Sequence, residues 1–61
     1  MKNYKANVIV KKGKKEQERI LWIRRDHIVD ALNVTHKVKA IKINYIHQVS
    51  DEEYLRGVAS A

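Results

Sequence analysis

The chain has 61 residues, no cysteine and a formal net charge of +6, which arises from 13 Lys and Arg against 7 Asp and Glu. This length excludes more than one domain and leaves little room for a pocket that shuts out water, so an enzyme is not expected. The absence of cysteine excludes disulfides and cysteine-ligated zinc as sources of stability. The basic balance favours a polyanionic partner.

The first two predicted elements form a hairpin. Polar and apolar residues alternate over residues 3–12, which predicts a strand with one apolar face. Gly13 follows and can take a positive φ angle, which predicts a turn, and residues 16–24 return as a second strand. A loop this short permits only antiparallel neighbours, so the two strands pair directly.

The alternation leaves open which side chains of the second strand face the core. Neighbours along a strand point to opposite faces, so the core takes either Leu21 with Ile23 or Ile20 with Trp22. The pair that is left out lies on the opposite face of the sheet. From the first strand, the core takes the apolar set Tyr4, Ala6, Val8 and Val10.

A helix is predicted over residues 27–38. Its apolar residues follow the 3.6-residue spacing of one buried face, and they are Ile28, Ala31, Leu32, Thr35 and Val38. Asp26 is the predicted N-cap, because its carboxylate can accept a backbone N–H of the first turn. No glycine closes this helix, and the alternative starts the next strand at Val38 with a bulge near Ala40.

Residues 41–49 alternate with a period of two and predict a third strand. Ile41, Ile43 and Tyr45 are expected to face the long helix, and Ile46 is expected on the opposite face. A right-handed crossover makes the second and third strands parallel to each other. Placing the first strand between them gives an antiparallel sheet in the order 2-1-3.

A short helix is predicted over residues 51–57. Ser50 and Glu53 have the spacing of a capping box at its start, and Gly57 is expected to end it. Residues 59–61 are then a loose tail. The chain is therefore predicted to be one small α+β domain over residues 1–61. It has the order ββαβα, with the long helix packed on one face of a three-stranded sheet.

The face of the sheet opposite the long helix is where binding is expected. More apolar surface is predicted there than a small monomer leaves in water, so the C-terminal helix, a second copy or an external partner should cover it. The candidate interaction residues are Ile9, Trp22, Ile46 and Tyr54. Cations surround the same face and are candidates for contacts with nucleic acid: Lys5, Lys11, Lys12, Lys14, Lys15, Arg24, Arg25 and Lys42.

Two functions of different classes are consistent with this surface. The first is non-enzymatic binding of DNA or RNA, in which the cations contact phosphates and Trp22 or Tyr45 stacks on bases. The alternative is a protein-interaction module with an apolar anchor, such as an adaptor or inhibitor, or a homodimer. Short cysteine-free basic chains of this kind are frequent in phages and mobile elements. Solvated lysines that prevent edge pairing would produce the same composition.

No cofactor, metal or small-molecule substrate is expected. His27 and His36 are nine residues apart, which does not match ligand spacing on one helical face. No apolar run approaches the ~18–20 residues that a membrane-spanning helix needs, and no leader is apparent at the N-terminus. A cytoplasmic location is expected.

Overall fold

Three strands and two helices make up the part of the chain that the computed structural model describes, residues 1–60. The elements are β1 (Lys2–Lys12), β2 (Lys15–Arg25), α1 (Ile28–Lys37), β3 (Ala40–Val49) and α2 (Asp51–Ser60). The strands form one open sheet in the order β2-β1-β3, and β1 is antiparallel to both neighbours. The predicted α+β class and strand order are confirmed.

The hairpin joins β1 and β2 through a two-residue turn. Lys12 pairs with Lys15, and Gly13 has a φ angle of +65°. Gly13 is the first central residue of the turn, where a type II′ hairpin requires a positive φ. The turn predicted at Gly13 is therefore confirmed.

The core lies between α1 and one face of the sheet, which we call the helix face. Its buried residues are Tyr4, Ala6, Val8, Val10, Ile23, Ala31 and Thr35. Leu21 packs against this cluster and pairs with Ala6, so Leu21 and Ile23 are the pair that faces the core. Ala31 and Thr35 are small and fully buried, which lets α1 approach the sheet closely.

Both ends of α1 differ from the prediction. The N-cap is His27, one residue after Asp26, and it makes no side-chain capping hydrogen bond. Asp26 instead lies 3.7 Å from the N-terminal ammonium group. The helix ends at Lys37, and Lys39 adopts a φ angle of +60° while its N–H donates to the His36 carbonyl. A lysine therefore takes the left-handed position that glycine usually fills after a helix.

The buried stripe of α1 is also narrower than its spacing predicts. Ile28 and Val38 remain 47% and 36% exposed, although both were expected to be buried. They lie at the first residue of the helix and just beyond its last, where the neighbouring turns cover them least. The contact with the sheet is therefore concentrated on the middle of the helix.

β3 contains two bulges that reverse the predicted facing of several side chains. The register against β1 shifts between Asn7 and Val8 and again between Ile9 and Val10, so that Asn44 and Ile41 are the extra residues. Each extra residue inverts the alternation beyond it. The expectation that Tyr45 faces the helix and Ile46 the opposite side is therefore wrong.

Pairing along β3 gives the observed arrangement. Ile46 pairs with Ala6 and packs against the core, whereas Tyr45 pairs with Asn7 on the other face. Ile43 pairs with Val8 and faces the helix as predicted, while the bulged Ile41 is exposed.

α2 begins where it was predicted and ends later. The Ser50 hydroxyl accepts the Glu53 N–H at 3.2 Å, which agrees with the predicted cap. The helix then continues through Gly57 to Ser60, so Gly57 does not end it and residues 59 and 60 are not a loose tail. Ala61 lies outside the described residues.

Neither of the helices within residues 1–60 is long and apolar enough to cross a membrane.

Candidate nucleic-acid interface

α2 packs on the face of the sheet opposite α1, which we call the open face. Its contacts are with β1 and β2, and Gly57 lies directly on the Trp22 indole. A Cβ atom built on Gly57 would overlap Cε2, Cζ2 and Cδ2 of Trp22. The glycine is therefore in this helix because nothing larger fits between its backbone and the ring. The C-terminal helix was one of three predicted covers for this face, and α2 does cover part of it.

The start of α2 is attached to the sheet by a polar cluster around Arg24. The Arg24 Nε donates to Asn3 Oδ1 at 2.7 Å, and Asn3 Nδ2 donates to Asp51 Oδ1. The Arg24 guanidinium also lies 3.9 Å from the Asp51 carboxylate and 4.6 Å from the Tyr54 ring centroid. Arg24 and Tyr54 therefore contact each other, and the cluster connects the start of α2 to β1 and β2.

The rest of the open face is left uncovered by α2. We call this region the open-face patch, and it consists of Lys5, Ile9, Ile20, Lys42, Tyr45 and His47. Tyr45 and His47 are two residues apart on β3, so both rings project from the same face. Their centroids are 5.1 Å apart with an interplanar angle of 14°, and Tyr45 is 38% exposed. The patch therefore presents a stacked aromatic pair to solvent.

Two lysines flank this aromatic pair. Lys5 lies directly opposite His47 across the β1–β3 ladder, and Lys42 lies opposite Ile9. The Lys5 Nζ is also 5.4 Å from the Trp22 ring centroid, a cation–π contact that fixes its direction. Lys5 of β1 and Lys42 of β3 therefore lie near the aromatic pair on the open face, and the Lys5 ammonium group is directed toward Trp22 of β2.

The β2 side of the same face has a different charge. Glu18 pairs with Ile9, and Glu16 pairs with Lys11, so both carboxylates lie on the open face. Lys11 therefore has an acid directly opposite, which reduces its net contribution to the field. The acidic side chains of the sheet's open face therefore lie along β2, whereas β3 contains no acidic residue.

A hydrogen bond between two amides supports the bulge beneath the patch. Asn44 Nδ2 donates to Asn7 Oδ1 at 2.7 Å, and Asn7 is only 7% exposed. Because Asn44 is the extra residue of the bulge, this bond holds the strand where its alternation reverses. It thereby fixes the side of the sheet on which Tyr45 and His47 lie.

The predicted cations do not all lie on one face. Those on the open face are Lys5, Lys11, Arg24 and Lys42, and those on the helix face are Lys12, Lys15 and Arg25. Lys14 is in the hairpin turn. The outward positions predicted for Lys5, Lys11 and Lys42 agree with the strand register. The cations as a whole do not surround one face, because strand alternation sends the adjacent Arg24 and Arg25 to opposite sides.

The predicted interaction residues are also divided. Ile9 lies on the open-face patch, Trp22 lies half-buried beneath α2, and Tyr54 lies on α2 against Arg24. Ile46 belongs to the core side. The exposed apolar residues near this region are Ile20, Leu55 and Val58.

His47 was missed as a candidate from sequence. A detectable signal existed, because two aromatic rings at positions i and i+2 of a predicted strand project together. Within residues 1–60, no group of three or more His, Cys, Asp or Glu side chains is placed to hold a metal ion.

Comparison with known proteins adds no relative: no protein-family model, curated protein or solved structure matches this chain.

Proposed function

We propose that this protein acts by binding, not by catalysis, and that it binds single-stranded DNA or RNA through the open-face patch. The observation that carries the proposal is the exposed Tyr45–His47 stack with Lys5 directly alongside. Every base has a π face, so stacking on aromatic side chains tolerates any sequence, while lysines contact the phosphates. Unpaired bases are required, because bases within a duplex already stack on each other.

The magnitudes favour Tyr45 as the principal contact. Stacking of one base on an exposed ring is worth about 1–3 kcal/mol. A single exposed ion pair is typically worth about 0.2–1 kcal/mol and is screened by salt. Affinity should therefore depend most on Tyr45, and the lysines should set the salt dependence.

Trp22 and Arg24 are assigned a structural part in this proposal. Trp22 lies against Gly57, and Arg24 is engaged by Asn3 and Tyr54. Their substitution should loosen α2 rather than remove a direct contact with nucleic acid.

The experiment is a titration of short fluorescein-labelled oligo(dT) with protein, followed by fluorescence anisotropy at low salt. Tyr45→Ala should raise Kd by about 5- to 150-fold, because one stacked base is lost. Leu55→Ala is the matched control: Leu55 is 59% exposed on α2, and its removal should change Kd by less than about twofold. Equal affinity of the wild type and Tyr45→Ala would rule out the patch as the binding surface.

A second candidate function is protein–protein interaction. The protein would then act as an adaptor or inhibitor, of the kind that phages encode, or would associate with a second copy of itself. Leu55 and Val58 of α2 remain 59% and 46% exposed, and Ile20 of β2 is 40% exposed. Apolar contact predicts association that survives high salt, unlike binding to phosphates. Sedimentation velocity of the wild type and of Leu55→Glu at high salt tests it, because loss of a dimer on substitution supports this function.

A further inference from the structure

A second basic site lies on the helix face, away from the open-face patch. It is a concavity of about 480 Å³ at the hairpin end of the sheet, where α1 stops. Its lining includes the cations Lys12, Arg19 and Lys39, together with Val10, Gln17 and Val38. These residues come from β1, from β2 and from the residues after α1, so three separate elements converge on it.

Strand alternation keeps acidic side chains out of this concavity. Gln17 and Arg19 of β2 share the helix face with Val10, whereas Glu16 and Glu18 project from the open face. Lys11 also lines the concavity, but its pairing with Glu16 assigns its side chain to the open face. Among residues 1–60, none of the ion pairs involves Lys12, Arg19 or Lys39.

A neighbouring concavity shows that this lack of acid is not general. The other large depression beside α1 measures about 420 Å³, and Asp30 lies among its cations Arg25 and Lys37. Asp30 therefore partly neutralises the positive charge of this depression. The concavity at the hairpin end, by contrast, is lined only by cationic, amide and apolar side chains.

The backbone at Lys39 adds to the same picture. Lys39 has a φ angle of +60°, a conformation that an L-residue adopts at a cost and that glycine adopts freely. With lysine there, a cation stands at the edge of the concavity. The negative end of the α1 dipole also lies here, but it amounts to about half a charge, against three full positive charges.

We propose that this concavity is an oxyanion site for phosphate groups. Arg19 supplies a planar fork of donors that matches phosphate oxygens, and Lys12 and Lys39 add point charges from the other elements. Lys12, Arg19 and Lys39 are all exposed, so a chain of linked phosphates can reach them from solvent. Those phosphates come from one of two sources, the backbone of a nucleic acid or a free polyphosphate.

The test is an NMR titration with sodium tripolyphosphate at constant ionic strength. Saturable shifts of the Arg19, Val38 and Lys39 amides are expected, and Arg19→Gln should raise Kd about tenfold. Arg19 and Gln17 are exposed, so this variant keeps the core intact. Lys2→Gln makes the same change in net charge at the end of the sheet away from the hairpin turn and should change Kd by less than about twofold.

Equal weakening by Arg19→Gln and Lys2→Gln would overturn the site, because it would mean that only net charge matters. Absence of saturable shifts at these amides would overturn it as well. Lys12→Gln is the second variant and should also raise the tripolyphosphate Kd.

Oligo(dT) then distinguishes the two sources of phosphate. A Kd for oligo(dT) that rises with Arg19→Gln identifies the nucleic-acid backbone as the source, and an unchanged one identifies free polyphosphate. This result is independent of the open-face patch, since Tyr45→Ala should leave tripolyphosphate binding unchanged. Failure of the Tyr45 test therefore leaves the oxyanion site standing.

Discussion

Within residues 1–60, two residues adopt a left-handed backbone, and they differ in what the conformation costs. Gly13, at φ +65°, has no Cβ and meets no steric penalty. Lys39, at φ +60°, has the same backbone geometry with a full side chain. For an L-residue this region costs roughly 1–2 kcal/mol, so the end of α1 stores free energy that the hairpin turn does not.

Replacing Lys39 with glycine should therefore stabilise the protein. We expect Lys39→Gly to raise the free energy of unfolding by about 0.5–1 kcal/mol, because relief of the strained backbone exceeds the extra entropy of glycine in the unfolded chain. Urea denaturation followed by circular dichroism measures the change.

Gly13→Ala provides the control of opposite sign and should destabilise the protein by about 1 kcal/mol, because alanine brings the same penalty to the turn. A Lys39→Gly protein that is less stable than the wild type would show that the Lys39 side chain stabilises the fold by more than its backbone costs.

At the scale of elements, periodicity is enough to predict the strands and α1. Alternation over β1 and the shift to a 3.6-residue spacing after Asp26 gave the sheet order and the helix within a residue or two. The bulges in β3 were not predictable in the same way. A bulge is a property of the pairing with β1, and Asn44 is recognisable as its extra residue only through its partner Asn7.

The candidate site was predictable only in part, because part of it depends on the bulges in β3. The open face, Lys5 and Lys42 follow from alternation alone. The position of Tyr45 on that face depends on the bulge at Asn44, which the sequence does not show. The separation of Arg19 from Glu16 and Glu18 onto opposite faces was not predicted, although it follows from the alternation of side chains along β2.

The role of Gly57 was likewise hidden, because a glycine late in a short helix predicts its end. In the structure the same residue lets α2 lie on Trp22. Gly57 is therefore explained by a contact with Trp22, a residue distant in the sequence, whereas the local sequence pattern predicts a helix end there.

Because α2 packs on Trp22, the effect of adding a methyl group at Gly57 can be predicted. Alanine is a better helix former than glycine by about 1 kcal/mol, so Gly57→Ala should stabilise an isolated helix. Here the added Cβ overlaps the Trp22 ring, and we expect displacement of α2 and a loss of about 1–3 kcal/mol. The tryptophan emission should move to longer wavelength as the indole becomes exposed.

The same substitution in a Trp22→Ala background completes a double-mutant cycle. Without the ring, Gly57→Ala should be neutral or stabilising, so the coupling between the two sites measures the overlap. Unchanged emission together with higher stability of the single variant would contradict the docking of α2 on Trp22.

At the scale of the whole molecule, the net charge of +6 is divided by the sheet rather than concentrated on one side. On the open face, Lys42 of β3 and Lys5 of β1 lie near the Tyr45–His47 stack, whereas β2 has Glu16 and Glu18. A single strand of nucleic acid bound as proposed would therefore follow β3. Its affinity would have two separable parts, one from lysines that salt screens and one from stacking that salt leaves largely unchanged.

These two parts predict different lines in a plot of log K for oligo(dT) against log salt concentration. On single strands each neutralised phosphate contributes about −0.7 to the slope, so a Lys5→Gln/Lys42→Gln variant should have a slope shallower by about 1.4. Tyr45→Ala should lower the line without changing its slope, because stacking releases no counterions. Lys2→Gln/Lys37→Gln is the charge-matched control. It removes two charges that lie off the open face, at the start of β1 and in the last turn of α1, and should reproduce the wild-type slope. If the slopes of Lys5→Gln/Lys42→Gln and of the control were the same, the two lysines would not contact phosphates, and the strand would not follow β3.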